Sequence, residues 1–162
     1  MKTVLFKIKR QETKNSNPYW EEFEVPYHPG MNVIVGLLEI SKSLTTKEGK
    51  KTAPIAWDAN CLEEVCGICT MLVNGKVRQS CTALIDNLEQ PIRLEPMTKF
   101  PVVRDLRVDR EHMFDALKRV KAWIPIDGTY NLGPGPKLSE KDQQIGYKLS
   151  ECITCGCCLE VC

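Results

Sequence analysis

Eight of the nine cysteines in this chain of 162 residues fall into two runs of fixed spacing, and any fold must bring the members of each run together. The first run is Cys61-x4-Cys66-x2-Cys69, with Cys81 after eleven intervening residues. The second is Cys152-x2-Cys155-x2-Cys158-x3-Cys162, with an additional Cys157 inside it. The first spacing is that of plant-type [2Fe–2S] ligands, and the second is the bacterial-type run. In the bacterial pattern three cysteines hold one cubane and the fourth ligates another cluster. By that rule Cys152, Cys155 and Cys158 bind three corners of a [4Fe–4S] cluster, and Cys162 belongs to a different cluster. Cys157 has no place in the register and reads as a packed or spectator thiol. The bacterial run normally continues with Pro, whereas this chain stops at Cys162.

Other uses of cysteine fit less well. An odd number does not close into a disulfide framework, and the opening Lys2 to Arg10 alternates charged with apolar residues, as a strand does and a signal peptide does not. No apolar run reaches the roughly 18 residues of a membrane span. The chain is therefore expected in the cytoplasm, where cysteine at this density points to metal or redox work. Zinc is the rival metal, but the x4-x2 and x2-x2-x3 runs suit zinc ribbons poorly. A formal net charge of +1 gives no signal for nucleic acid. There is no G-x-G-x-x-G, P-loop or G-x-S-x-G motif to bind a flavin or activate a substrate. Two cluster motifs without substrate chemistry describe a relay for electrons.

The element pattern is α+β. Val4 to Arg10 reads as a half-buried strand, and Phe23-Glu24-Val25 as its antiparallel partner. Val33, Ile34, Leu37, Leu38 and Ile40 keep a helical period over residues 32–43, with Asn32 as N-cap. Thr70 to Val73, Asn74-Gly75 and Lys76 to Gln79 form a hairpin signal with a type I′ turn. Ile92 to Glu95 is a further strand. Beyond Leu106 the pattern turns helical: Met113, Leu117, Val120 and Ile124 are in phase until Pro125, and a second helix opens at Ser139. Residues 128–136 read as an irregular connector.

The hairpin explains the fourth ligand. Counting down the ladder from Val73 and Lys76 puts Gln79 opposite Thr70, Ser80 opposite Cys69 and Cys81 opposite Ile68. Paired residues lie about 5 Å apart between Cα atoms, so Cys81 returns to the mouth of the Cys61–Cys69 loop. Gly67 lets the backbone approach inorganic sulfur. Glu63 and Glu64 in that loop would lower a cluster's potential.

With both runs in place, the chain resembles the iron–sulfur subunit of succinate dehydrogenase and fumarate reductase. The stretches that carry the likeness are Trp57-Asp58, the loop from Cys61 to Cys69, Val73-Asn74-Gly75, Gln79 to Leu84, Pro101 to Leu106, and Cys152 to Cys162. The resemblance implies a β-grasp [2Fe–2S] ferredoxin-like domain over residues 1–106. It also implies a helical ferredoxin-type domain over residues 107–162, incomplete at its C-terminus. Cys61, Cys66, Cys69 and Cys81 map onto the [2Fe–2S] ligands, Cys152, Cys155 and Cys158 onto [4Fe–4S] ligands, and Cys162 onto a [3Fe–4S] ligand. Family members continue past the position of Cys162 with the remaining ligands, so the chain is expected to be a fragment that by itself completes only the first cluster.

The implied role is electron relay from an FAD-containing flavoprotein subunit that oxidises succinate to quinone at a membrane-anchor cytochrome b, on the cytoplasmic face of the membrane. The details resemble the menaquinone-linked branch. Fumarate reduction, the reverse direction, is the alternative, and a free-standing soluble ferredoxin or a zinc-stapled module are the further rivals.

Overall fold

The structure is a computed structural model that describes residues 2–123, 133–135 and 137–162. The chain forms two compact units, one of residues 1–110 with 155–162 and one of residues 111–154.

The first unit is built on a five-stranded mixed sheet. Its strands are β1 (Thr3–Arg10), β2 (Tyr19–Pro26), β3 (Thr70–Val73), β4 (Lys76–Gln79) and β5 (Ile92–Glu95), in the spatial order β2-β1-β5-β3-β4. β1 and β5 run parallel, and the other neighbours are antiparallel. Helix α1 (Val33–Ser43) buries Val33, Ile34, Leu37 and Ile40 in a core shared with Val4, Phe6 and Ile8 of β1, Phe23 and Val25 of β2, and Ile92 and Leu94 of β5. This is the α+β arrangement that the hydrophobic pattern predicts.

The alternation in β1 is strict. Val4, Phe6, Ile8 and Arg10 are buried, and the residues between them are not. At the crossing with the helix, Gly36 leaves room for Phe6, since a Cβ there would lie 2.2 Å from the ring Cζ. Asn32 caps the helix by accepting from the Val35 amide at 2.9 Å. Leu44, in the left-handed region at φ 47°, ends it with an N–H donated to the Ile40 carbonyl at 2.9 Å.

β2 starts earlier than the sequence predicts because it pairs along the whole of β1, down to Arg10 with Tyr19. Its first residues face water, where the Trp20 ring lies under the guanidinium of Arg93, 5.1 Å from the ring centroid. A short hairpin of β6 (Val102–Arg104) and β7 (Arg107–Val108) turns at Asp105, which has φ 47°. Its turn carries no Asn-Gly pair, so the pattern does not reveal it.

The second unit holds α2 (Glu111–Arg119) and α3 (Glu140–Ser150). α2 is shorter than its apolar phase predicts. Lys121 adopts φ 53°, the Ala122 amide donates to Leu117 O at 3.0 Å, and the Lys121 amide donates to Lys118 O at 3.1 Å. That is a Schellman closure, and it consumes the carbonyls that further turns would need. Ile124, Pro125 and most of the predicted connector lie outside the described residues. Ser139 caps α3 as the sequence predicts, with its hydroxyl accepting from the Asp142 amide at 3.1 Å. A five-residue helix, α4 (Cys157–Val161), follows Gly156 and belongs to the first unit.

Candidate metal centre

Residues 61–69 wrap back on themselves. Leu62, Glu64 and Gly67 all take positive φ, at 62°, 59° and 70°. Left-handed backbone costs a non-glycine residue about 1–2 kcal/mol. Here it turns successive amides toward one atom, since the N–H groups of Glu63, Val65 and Cys66 donate to Cys61 Sγ at 3.4, 3.4 and 3.3 Å. Those three donors, Glu63 foremost, lower the Cys61 thiol pKa to about 7. The loop thus prepares a thiolate, the form that binds metal.

The hairpin returns Cys81 as its register predicts. Thr70 pairs with Gln79 and Val73 with Lys76 across Asn74 (φ 50°) and Gly75 (φ 76°). One step further down, the Ser80 amide donates to the Cys69 carbonyl at 3.2 Å. Cys69 and Cys81 are both buried and their thiols share a hydrogen bond. Burial pushes the Cys69 thiol up to about 11. Cys61 and Cys66 form a second thiol pair.

Asn32 does two jobs. Besides capping α1, its Nδ2 donates to the Cys81 carbonyl at 2.8 Å, and the Val33 amide donates to Ala83 O at 3.0 Å. The fourth cysteine is therefore tied to the start of the helix.

Two pairs of thiols suit a two-iron cluster, in which each iron takes two cysteines. Among the described residues no three His, Cys, Asp or Glu side chains converge on a single metal position. The hydroxyl of Ser80, fully buried beside Cys81, finds no hydrogen-bond partner among the described residues, and neither does Gln79 Oε1. A buried orphan hydroxyl calls for an acceptor, which a cluster sulfur held beside Cys81 would supply to Ser80. On both counts the residues present fit a [2Fe–2S] group.

The second run is divided between the two units. Cys152 lies in the 111–154 unit, and Cys155, Cys158 and Cys162 lie in the other. Cys152, Cys158 and Cys162 are exposed, and Cys155 and Cys157 are half-buried. Burial, together with a hydrogen bond to Cys155, pushes the Cys157 thiol up to about 11, against the pull of a hydrogen bond with the Thr70 side chain. The out-of-register cysteine thus touches the hairpin rather than standing idle.

Gly156, at φ 83°, seats this turn against Phe100, whose ring would lie 2.9 Å from an added Cβ. Glu160 accepts from the Thr98 amide at 2.9 Å, the Thr98 hydroxyl at 2.7 Å and the Lys99 amide at 3.1 Å. Burial opposes the Glu160 charge, but those donors outweigh it and hold the carboxyl below its usual range.

Sequence reasoning misses the brace behind the first loop. Arg10 continues the buried face of β1, where an apolar residue is expected. Its Nε donates to Asp105 Oδ1 at 2.9 Å, and it also pairs with Glu21 and donates to Ala53 O at 3.1 Å. Asp105 accepts from the Gln11 amide at 3.0 Å and the Ala56 amide at 2.8 Å. The chain entering the cysteine loop is thereby pinned at 53 and 56. The signal was available, since a basic residue in phase with Val4, Phe6 and Ile8 needs a buried acid.

Residues 5–115 match the family model described as a 2Fe-2S iron-sulfur cluster binding domain. Over 161 residues, 99% of the chain, it is 65% identical to the succinate dehydrogenase iron-sulfur subunit of Bacillus subtilis. It is 32% identical to the fumarate reductase iron-sulfur subunit of Mycobacterium tuberculosis and 28% identical to that of Wolinella succinogenes. The alignments cover 99%, 100% and 91% of the chain, and it spans 64%, 64% and 60% of those relatives in the same order. The fold matches a chain of the Mycobacterium smegmatis Sdh1 complex in the apo form with a TM-score of 0.72, at 19% identity, over 99% of this chain and 63% of that one. With its loop and hairpin built around two pairs of thiols, the chain belongs to the 2Fe-2S iron-sulfur cluster binding domain family.

Proposed function

We propose that the chain is the electron-transfer part of a succinate dehydrogenase, relaying electrons from an FAD-bearing flavoprotein subunit to quinone, menaquinone by preference, at a membrane-anchor cytochrome b. The observation that carries this reading is the 65% identity to the Bacillus subtilis subunit over nearly the whole chain. Relatives named as fumarate reductase subunits stand at 26–32% identity, which favours succinate oxidation over the reverse direction.

In this reading Cys61, Cys66, Cys69 and Cys81 hold [2Fe–2S], Cys152, Cys155 and Cys158 hold three corners of [4Fe–4S], and Cys162 is a [3Fe–4S] ligand. Residues 1–106 are the [2Fe–2S] domain and residues 107–162 the helical one. When bound, the clusters supply sites that accept and release one electron at a time. The protein contributes the thiolates, the amides that stabilise them and the exclusion of water. Cys61 stands ready as a thiolate through three amide donors, whereas Cys69 and Cys81 sit in the core, away from solvent.

Around the loop, Leu62, Val65 and Ile68 are 52%, 61% and 40% exposed. An apolar rim of this kind suits a protein partner and supports docking of the flavoprotein there. Among the described residues no helix is long and apolar enough to cross a membrane, which fits a peripheral subunit held at the cytoplasmic face by its anchor.

The test is affinity purification of the tagged protein from its own cells in mild detergent. A flavin-bearing protein and a b-type cytochrome should copurify, with succinate-driven quinone reduction. Recovery of the chain alone and fully active as a soluble electron carrier would support the ferredoxin reading instead.

A further inference from the structure

Arg110 joins β7 to α2, and its guanidinium is half-buried against the first cysteine loop. Nη1 donates to the Gly67 carbonyl at 3.0 Å, and Nη2 to those of Ile68 at 3.1 Å and Thr70 at 3.5 Å. These three carbonyls bracket Cys69. A trans peptide points its C=O and N–H in opposite directions, so holding the Gly67 and Ile68 carbonyls fixes where the amides of Ile68 and Cys69 point. The Thr70 hydroxyl reinforces the same turn by donating to Gly67 O at 2.8 Å.

Cys155 and Cys157, the part of the second run that belongs to the first unit, come to the same place. Cys157 shares a hydrogen bond with the Thr70 side chain. The charge of Arg110 is felt by Asp58 and by the thiols of Cys155, Cys157 and Cys69. Burial disfavours the guanidinium charge and these neighbours favour it, and Arg stays ionised in proteins. One fixed positive charge therefore lies beside the end of the first ligand loop and beside Cys155 and Cys157.

We propose that Arg110 is a positioning residue for electron transfer: its fork holds residues 67–70 around Cys69, and its charge raises the reduction potential of the cluster held by Cys61, Cys66, Cys69 and Cys81. This rests on the ligand reading given above. Reduction adds one electron and no proton, so a nearby fixed cation stabilises the reduced site more than the oxidised one. No bond of Arg110 is made or broken, and the electron comes from the donor that reduces the site. Lysine would retain the charge but lacks the planar fork that reaches several carbonyls at once.

The experiment is a redox titration of the full cluster-loaded chain, followed by electron paramagnetic resonance, on the native protein, Arg110→Gln, Arg110→Lys and Lys42→Gln. Lys42 is an exposed residue of α1 paired with Glu39, three positions away, and controls for loss of any one charge. The expected result is a lower midpoint for Arg110→Gln at undiminished spin count, a smaller shift for Arg110→Lys and none for Lys42→Gln. A native midpoint in Arg110→Gln at full spin count would overturn the inference. So would loss of the cluster in both Arg110 variants, because the residue would then be structural alone. A native protein with no [2Fe–2S] signal at all would instead remove the ligand reading beneath it.

Discussion

The Arg10–Asp105 pair shows how one residue out of type can govern a site it never touches. Both side chains are about 1% exposed, and Asp105 also receives the amides of Gln11 and Ala56. Asp105→Ala leaves Arg10 with Glu21 as its remaining acid but strips the Gln11 and Ala56 amides of their acceptor, and each buried donor left unsatisfied costs about 1–3 kcal/mol. Asp105→Ala is therefore expected to lower unfolding stability by about 2–5 kcal/mol, measured by urea denaturation. The amide of Ala56 should also exchange faster, because the entry to the cysteine loop loses its anchor. Among the cysteines, Cys61→Ser and Cys81→Ser should abolish or sharply reduce visible absorbance of the cluster-loaded chain. Cys157→Ser should leave first-cluster content unchanged, since its thiol touches the hairpin and not the paired ligands. The spacing makes the ligand cysteines readable from sequence because it is a local property of the chain. Arg110 and Asp105 are not readable that way, since their partners lie about 40 and 95 positions away.

At the scale of elements, α1 and the β3–β4 hairpin hold Cys81 where its thiol pairs with that of Cys69. Asn32 separates two roles by chemistry. Asn32→Asp keeps the acceptor that caps the helix and loses the N–H donated to Cys81. Asn32→Ala loses both, and removing an N-cap alone costs about 1 kcal/mol. The expected result is a small stability loss for Asn32→Asp with faster cluster loss on dilution, and a larger stability loss for Asn32→Ala. Equal behaviour of the two variants in both measurements would show that the tether to Cys81 carries no weight.

Gly36→Ala sets two effects against each other. Alanine in place of glycine favours a helix by about 1 kcal/mol. A Cβ placed 2.2 Å from Phe6 Cζ forces the helix or the ring to move, and overpacking of that kind costs about 1–3 kcal/mol. A net loss is expected, and thermal melts of the two proteins would read it. The hairpin register was legible because Asn-Gly admits one turn geometry and the pairing then follows by counting. The β6–β7 hairpin was not, because Asp105 takes its positive φ without the glycine that usually announces one. Helix α2 ends before its apolar phase does, because Lys121 closes the backbone.

At the scale of the whole molecule, Cys69 and Cys81 belong to the same core as the sheet and α1 of the first unit, so folding that unit brings these two cysteines together. The cluster is then expected to stabilise the fold by mass action. Stripping iron with a chelator should lower the melting temperature of the native chain and have little effect on Cys81→Ser, which starts without a full ligand set. The architecture could be read from the sequence because apolar alternation, helical period and turn chemistry all agree. The grouping of residues 155–162 with the first unit could not, because it depends on Gly156 fitting against Phe100 and on Glu160 meeting Thr98 and Lys99.

In the proposed reading, two pairs of thiols from a bent loop and a returning hairpin hold two irons. Its most direct measurement is metal and acid-labile sulfide analysis of the purified 61–81 ligand site in the full chain, with Cys152, Cys155, Cys158 and Cys162 replaced by Ser so that only the first site can bind. About two irons and about two sulfides per chain, with a reduced-state spin signal near one per chain, are expected of a [2Fe–2S] site. Zinc bound at about one per chain without labile sulfide would contradict the account.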